Sequence, residues 1–149
     1  MKIEEFKNIT IAYIRRTGNY GFENKIFMEN FKEYLREKEL LDKSSVILGI
    51  ALDNPAMTDK NKLRYDVGLI VNGNPDIALD IRKIPDGIYA VFELPHTEQD
   101  ITAFWSNIQK LVGSLSVDET KPVIERYPAD KVAKHLCEFC IPQIGRAHV

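Results

Sequence analysis

The chain reads His-Leu-Cys-Glu-Phe-Cys-Ile-Pro over residues 135–142. A short apolar run that ends at a proline is typical of a buried β-strand. Glu138 is the exception in this run, because its neighbours in residues 136–141 all suit a protein interior. An isolated carboxylate in a core is unfavourable, so such a group is paired, protonated or ready to bind a cation. We therefore predict that Glu138 faces a cavity around which the rest of the chain is organised.

Size and charge narrow the class of protein. The 149 residues suffice for one domain with its own core. A net charge of -2 disfavours direct nucleic-acid binding, since nucleic-acid-binding domains usually carry a basic surface. No apolar run approaches the roughly 20 residues that cross a bilayer, and the first five residues lack a signal-peptide core. We expect a cytoplasmic protein without membrane contact, with a tail over residues 145–149 that is loose or derived from the expression vector.

The two cysteines, Cys137 and Cys140, form a Cys-x-x-Cys motif. A zinc site needs two further close ligands, and a thioredoxin-type pair lies at a helix start. Within a strand, alternation sends these two side chains to opposite faces. We therefore expect two buried free thiols and neither a metal nor a cofactor.

Seven strands and two helices are predicted from the pattern of the chain. β-branched and aromatic runs between turn residues indicate the strands, at residues 9–15, 45–52, 63–71, 77–84, 88–94, 123–127 and 134–144. Helical spacing of apolar residues indicates one helix over residues 24–41. A second helix is predicted from residue 98 to 112 or 115, with Thr97 as its N-cap.

The order of these elements repeats. Each half of the chain reads strand, helix, strand, strand, and the repeat places Asp66 in the first half where Glu138 lies in the second. We predict an α+β fold of duplicated βαββ units with pseudo-two-fold symmetry. A curved antiparallel sheet would carry two long helices on one side. A cleft between two such helices is a usual place for a small ligand.

Several motifs, taken in order, resemble GyrI-like domains, also called AraC-type effector-binding domains. They are Ile-Ala-Tyr-Ile-Arg-Arg-Thr-Gly-Asn-Tyr-Gly at 11–21, Arg-Tyr-Asp-Val at 64–67, Ile-Pro-Asp-Gly-Ile-Tyr-Ala-Val-Phe at 84–92, Trp105, Ile-Glu-Arg-Tyr at 124–127 and Leu-Cys-Glu-Phe-Cys-Ile-Pro at 136–142. The resemblance spans nearly the whole chain. It implies a domain that binds small molecules, often lipophilic cations, in a pocket with aromatic walls and a buried glutamate.

The resemblance places that glutamate in the last strand, at Glu138. Many relatives carry a DNA-binding domain ahead of this one, and this chain resembles the stand-alone kind. Its partners would be a small lipophilic or cationic molecule and not nucleic acid. A protein partner, either a DNA-binding regulator or a topoisomerase, stays open, as does the oligomeric state.

The remaining candidate ligand-binding residues are aromatic or acidic. They are Trp105, Tyr89, Tyr65, Tyr13, Phe104 and Asp66. Each aromatic ring has core packing as its alternative, and Asp66 could instead brace the sheet. For Glu138 the alternative is a structural pair with Arg126 or Lys134.

Three functions remain open at this stage. The first, which we favour, is a module that senses or sequesters a toxic amphipathic cation, because a buried carboxylate and aromatic rings attract such a ligand. The second is a hydrolase of cyclopropane-bearing genotoxins, in which Glu138 and Glu125 would be the catalytic candidates, since acid–base chemistry needs two groups. The third is a gyrase-inhibitor-like protein that acts by contact with a topoisomerase.

Overall fold

The structure is a computed structural model that describes residues 1–73 and 75–145. Its strands, β1 to β8 in chain order, span Lys2–Phe6, Thr10–Thr17, Val46–Ala51, Arg64–Val71, Asp80–Lys83, Gly87–Pro95, Ile124–Pro128 and Leu136–Gln143. Its helices, α1 to α4, span Phe22–Glu37, Glu98–Ser106, Ile108–Leu111 and Ala129–Val132. The predicted α+β class is confirmed. Most of the predicted tail, residues 146–149, lies outside the described residues.

All eight strands form one antiparallel sheet in the order β1-β6-β8-β7-β3-β4-β2-β5. The strands of each predicted half stay together, and the pairing of β3 with β7 joins the halves. β1 pairs with β6 of the second half, whereas β5 pairs with β2 of the first. β1 was not predicted, because its sequence Lys-Ile-Glu-Glu-Phe is mostly charged, as edge strands often are.

The sheet curls around an apolar cluster on one face. Phe6 belongs to the edge strand β1 and Ile11 to β2, which lies near the opposite edge, yet both pack in the same cluster. Leu48, Ile124 and Cys140 from the central strands fill the space between them. Such closeness of the two edges requires strong curvature, so the sheet forms an eight-strand half-barrel. We call this side of the sheet the inner face.

The two longest helices, α1 and α2, pack on the opposite side of the sheet, which we call the helix face. α1 buries Met28, Phe31 and Leu35 against β3 and β4, and their spacing of three and four residues forms one helical stripe. α2 buries Phe104 against β6 and β8. Tyr127 packs against both groups, so the two helices cover neighbouring parts of one face.

The second helix is shorter than predicted. It begins at Glu98 with Thr97 as its N-cap, as expected, since the Asp100 amide donates to Thr97 Oγ1 at 3.0 Å. It ends at Ser106, because Asn107 leaves the helical conformation and its side chain donates to the Ala103 carbonyl at 2.8 Å. Asparagine side chains compete in this way with the backbone bonds of a helix. Only α1 is therefore long.

The two cysteines lie on opposite faces, as predicted. Cys137 packs in the cluster under α2, whereas Cys140 packs in the cluster of the inner face. Both thiols are free and buried, and burial raises the pKa of Cys137 to about 11 and that of Cys140 to about 12. Within residues 1–73 and 75–145, no helix is long and apolar enough to cross a membrane.

Arg126 ties distant strands together on the inner face. Its Nε donates to Glu138 Oε1 at 2.8 Å, and its two terminal nitrogens donate to the Glu4 carboxylate at 2.6 and 3.0 Å. Lys131 donates to the other oxygen of Glu138 at 3.2 Å. Glu4 is in the edge strand β1, so this guanidinium helps to hold the curl closed. Burial would raise the pKa of Glu138, but the bonds and charges of Arg126 and Lys131 outweigh it and hold that pKa below 4.5.

We expect Glu138→Gln to lower the free energy of unfolding at pH 7 by about 3 kcal/mol, as for other broken buried ion pairs. The Glu138 carboxylate has a depressed pKa, so its stabilisation is present above pH 4.5 and is lost as the pH falls below that value. The difference between wild type and variant should therefore shrink from pH 7 to pH 3 in urea unfolding. Glu93→Gln is the control, because Glu93 is half exposed and opposes Glu138 in the register. Equal effects of the two substitutions would contradict this account.

Candidate functional site

A cleft opens on the helix face between α1 and α2, above the seam where β3 pairs with β7. It consists of a small cavity of about 520 Å³ and a large cavity of about 710 Å³. Four residues line both cavities, and they come from four different elements: Asn24, Tyr65, Trp105 and Glu125. Cavities of this size accommodate drug-sized ligands. We call the two together the Glu125 cleft.

Glu125, in β7, provides the carboxylate at the centre of this cleft. Its Oε1 accepts hydrogen bonds from the hydroxyls of Tyr65 at 2.8 Å and Tyr127 at 3.1 Å. Within the described residues no group donates to its Oε2, and that oxygen is not sealed from the cavity. The two tyrosines thus fix the carboxylate through one oxygen and leave the other for a ligand.

Gly49 makes the contact between Tyr65 and Glu125 sterically feasible. It lies in β3, directly opposite Glu125 in the register, and Tyr65 lies opposite the nearby Ala51 on the other side. A Cβ atom on Gly49 would come within 2.5 Å of Glu125 Oε1 and would also overlap the Tyr65 hydroxyl. Two small residues in β3 therefore form the floor over which the tyrosine reaches the acid.

The protonation states in the cleft follow from burial. Burial raises the pKa of Glu125 above its ordinary value, although the hydroxyls of Tyr65 and Tyr127 act in the opposite direction. Burial and the neighbouring Glu125 charge raise the pKa of both tyrosines, so both remain hydrogen-bond donors. Burial, followed by the charge of Lys32, lowers the pKa of His96 in the large cavity. His96 is therefore neutral at pH 7, and Glu125 is an acid that holds its proton more tightly than usual.

Trp105 forms the outer wall of the cleft. Its ring stands edge-on to Phe104 at 5.4 Å and lies 5.4 Å from Phe139, and these two rings stack on each other at 4.8 Å. The indole remains 40% exposed, although Phe104 behind it is buried. Packing therefore fixes one side of the ring and leaves the other available to a ligand.

The structure brings Tyr65, Trp105 and Glu125 together in the cleft, and all three were candidates from sequence. Tyr127 was missed, although it lies two residues after Glu125 in β7 and must share its face. Lys32 was also missed, because charged residues on the exposed side of a helix rarely indicate a site.

Glu138 does not lie where sequence analysis placed it. In the register it pairs with Arg126, so its carboxylate points to the inner face, whereas Glu125 pairs with Phe139 on the helix face. Glu138 is 1% exposed, lines neither cavity of the Glu125 cleft and is bonded to Arg126 and Lys131. The structural alternative with Arg126 describes this geometry, with Lys131 in place of Lys134 as the second cation.

Asp66 and Tyr13 also lie away from the cleft. The Asp66 carboxylate is buried and accepts bonds from Arg15 at 2.7 and 3.0 Å and from Arg82 at 2.7 Å. The Tyr13 ring contacts both guanidinium groups, at 5.7 Å from Arg15 and 5.1 Å from Arg82. Asp66 thus joins β4 to β2 and the edge strand β5, which is the bracing alternative. Like Glu138, it fixes an edge of the curled sheet.

The last two candidates pack in the core. Tyr89 is 1% exposed and stacks on Phe6 on the inner face, at 4.2 Å between ring centroids. Phe104 supports Trp105 from behind and is not among the residues that line the two cavities. For both rings, core packing describes the observed contacts.

A half-barrel sheet with an acidic, aromatic cleft defines a small-molecule-binding class of domain. The chain matches the model of the GyrI-like small molecule binding domain over residues 1–144, and it belongs to that family. It is also 40% identical over 144 residues to YosT of Bacillus subtilis (strain 168), which derives from the SPbeta prophage and is named a transcriptional regulator. The match covers 94% of this chain and 96% of YosT.

Solved structures share the fold at low identity. SAV2435 bound to tetraphenylphosphonium superposes with a TM-score of 0.67 and 16% identity, over 99% of this chain and 95% of that one. The C-terminal domain of EcmrR has a TM-score of 0.65 and 10% identity, over 95% and 94% of the two chains. In a complex of EcmrR with DNA, the matching region is 56% of the EcmrR chain, with a TM-score of 0.62 and 12% identity. In EcmrR, a domain of this fold is thus part of a longer chain that was solved in complex with DNA.

We expect Gly49→Ala to destabilise the protein by about 1–3 kcal/mol, because the added methyl group overlaps the Tyr65–Glu125 hydrogen bond. Glycine to alanine within a strand is normally stabilising, so the sign itself is diagnostic. The measurement is urea unfolding of Gly49→Ala, Tyr65→Phe and the double variant. Removal of the hydroxyl relieves part of the overlap. The double variant should therefore lose less stability than the sum of the losses in the two single variants. A neutral Gly49→Ala variant, or strict additivity, would disprove the steric role.

Proposed function

We propose that this protein binds a lipophilic aromatic cation in the Glu125 cleft, with Glu125 as its counter-ion. The observation that carries the proposal is the free Oε2 of Glu125, held toward the cavity by two tyrosines that bind only Oε1. Family membership and the binding of tetraphenylphosphonium by SAV2435 support this choice of ligand.

Aromatic rings and the carboxylate would select the ligand together. Tyr65, Tyr127 and Trp105 line the large cavity, and flat aromatic groups of a ligand gain by stacking on such rings. A cation near their faces gains further electrostatic attraction. Burial raises the pKa of Glu125, and a bound cation would lower that pKa again because it favours the ionised acid. A neutral ligand lacks this electrostatic attraction. The large cavity would therefore select for both the charge and the aromatic shape of a ligand.

The biological role we propose is the sensing or sequestration of toxic lipophilic compounds in the cytoplasm. YosT is named a transcriptional regulator, and EcmrR contains a similar domain in a DNA complex. A ligand-binding domain of this kind could report occupancy to a DNA-binding protein without contacting DNA itself. The net charge of this chain, -2, agrees with a protein that does not bind DNA itself.

The second candidate is a hydrolase that acts on a strained electrophilic compound. The observation in its favour is that two tyrosine hydroxyls bind Glu125 and burial raises its pKa, since a general acid works best with a pKa above that of an ordinary carboxylic acid. The catalytic candidates then become Glu125 with Tyr65 or Tyr127, and Glu138 has only its structural role. Turnover of such a compound that Glu125→Gln abolishes without weakening its binding would favour this function over binding alone.

We expect Glu125→Gln to weaken tetraphenylphosphonium binding at least tenfold. A charge about 5 Å away in a medium of effective dielectric about 20 contributes roughly 3 kcal/mol, which corresponds to about a hundredfold in affinity at most. Trp105 is the only tryptophan in the sequence and lines both cavities, so its fluorescence reports binding directly. Glu98→Gln is the matched control, because Glu98 lies on the rim of the large cavity. Unchanged affinity in Glu125→Gln, or a loss confined to folded Glu138→Gln, would refute the proposal.

We also expect the affinity for tetraphenylphosphonium to increase as the pH rises from 4.5 through the raised pKa of Glu125. Below its raised pKa Glu125 is neutral and attracts the cation less, whereas above that pKa the carboxylate is charged. Titrations of Trp105 fluorescence at several pH values measure this, and the slope should flatten in Glu125→Gln. His96 also loses a positive charge as the pH rises, with a lowered pKa. A slope that persists in Glu125→Gln would therefore assign the effect to His96.

A further inference from the structure

Lys32 lines the large cavity, and its ammonium group lies near the ring of Tyr127. Lys32 lies in α1, one turn after Met28, and only 15% of its side chain is exposed. Lysine on a helix surface normally extends its charged end into water. Lys25, two turns earlier on the same face of the helix and also at this cavity, is an exposed lysine of the usual kind. The low exposure of the Lys32 side chain therefore indicates contacts within the cleft.

Its contacts resemble those of a bound cation. Lys32 Nζ lies 5.5 Å from the centroid of the Tyr127 ring, which is within the range of a cation–π interaction. Its carboxylate partner is Glu29 on the same helix, at 3.5 Å. The hydroxyl of that same Tyr127 donates to Glu125. The ammonium group thus lies on the ring that is bonded to the acid of the cleft.

A cationic ligand in the large cavity would meet Lys32 at this ring. Two like charges at the same ring repel each other, and the repulsion is strong where little water screens it. The flexible four-carbon stem of lysine lets the ammonium group move away. Glu29 offers a partner on the outside, since 57% of its side chain is exposed.

We propose that Lys32 is a resident cation of the Glu125 cleft, which competes with a cationic ligand for the ring of Tyr127 and thereby sets the affinity and charge selectivity of the site. This inference rests on the proposed function. A neutral ligand meets no such repulsion. A strongly stacking cation displaces the ammonium group from the ring, and Lys32 then keeps only its existing pair with Glu29 at the rim.

The test compares Lys32→Met with wild type, using Trp105 fluorescence and two probes. Methionine keeps the apolar stem and removes the charge. We expect about tenfold tighter binding of tetraphenylphosphonium, from the loss of charge repulsion at the Tyr127 ring. Triphenylphosphine oxide, a neutral triaryl compound, should change less than twofold. Lys32→Arg, which keeps the charge, and Lys43→Met, which removes an exposed charge that lines neither cavity, should both stay near wild type.

Two results would overturn the role of Lys32. One is unchanged or weaker binding of tetraphenylphosphonium by a folded Lys32→Met variant. The other is an equal gain for both probes, because that would mean only a larger cavity. Failure of the proposed function is separate: neither wild type nor Lys32→Met would then bind the cation, or Glu125→Gln would bind it as tightly as wild type.

Discussion

Alternation along one central strand organises both the fold and the site. Glu125 and Arg126 are neighbours in β7, so their side chains must point to opposite faces of the sheet. Arg126 holds Glu138 and the edge strand through Glu4 on the inner face, while Glu125 faces the cleft under the helices. A one-residue shift in the pairing of β7 would exchange the two charges and destroy both networks. The register of β7 is therefore the constraint on which the architecture depends.

The cleft lies where the two halves of the chain meet. The pairing of β3 with β7 joins the halves, and the helices that cover them leave a gap over this seam. A gap between two packed units is a common origin of binding sites. Gly49 and Ala51 keep the floor of the gap low at the point where Tyr65 crosses toward Glu125. The space for a ligand thus comes from small residues in one strand.

The sequence was sufficient for the fold class and for part of the site. Periodicity located seven of the eight strands, and Tyr65, Trp105 and Glu125 were among the candidates. The face of Glu138 could not be derived, because β8 is covered on both sides and its residues are apolar on both. The sequence also could not reveal that curvature brings Glu4 within 2.6 Å of Arg126, 122 positions away. A buried acid in an apolar strand signals an interaction, but its partner follows from the register.

The two buried glutamates show how partners decide the use of an acid. Glu138 receives two cations from its own chain, its pKa is lowered, and its charge is already neutralised. Glu125 receives two hydroxyl groups, its pKa is raised, and one of its oxygens has no donor within the described residues. Tyrosines orient a carboxylate without neutralising it, whereas an arginine would do both. Glu138 already has its cationic partners within the chain. Of the two acids, Glu125 is therefore the one that can still be stabilised by a cation from outside the protein.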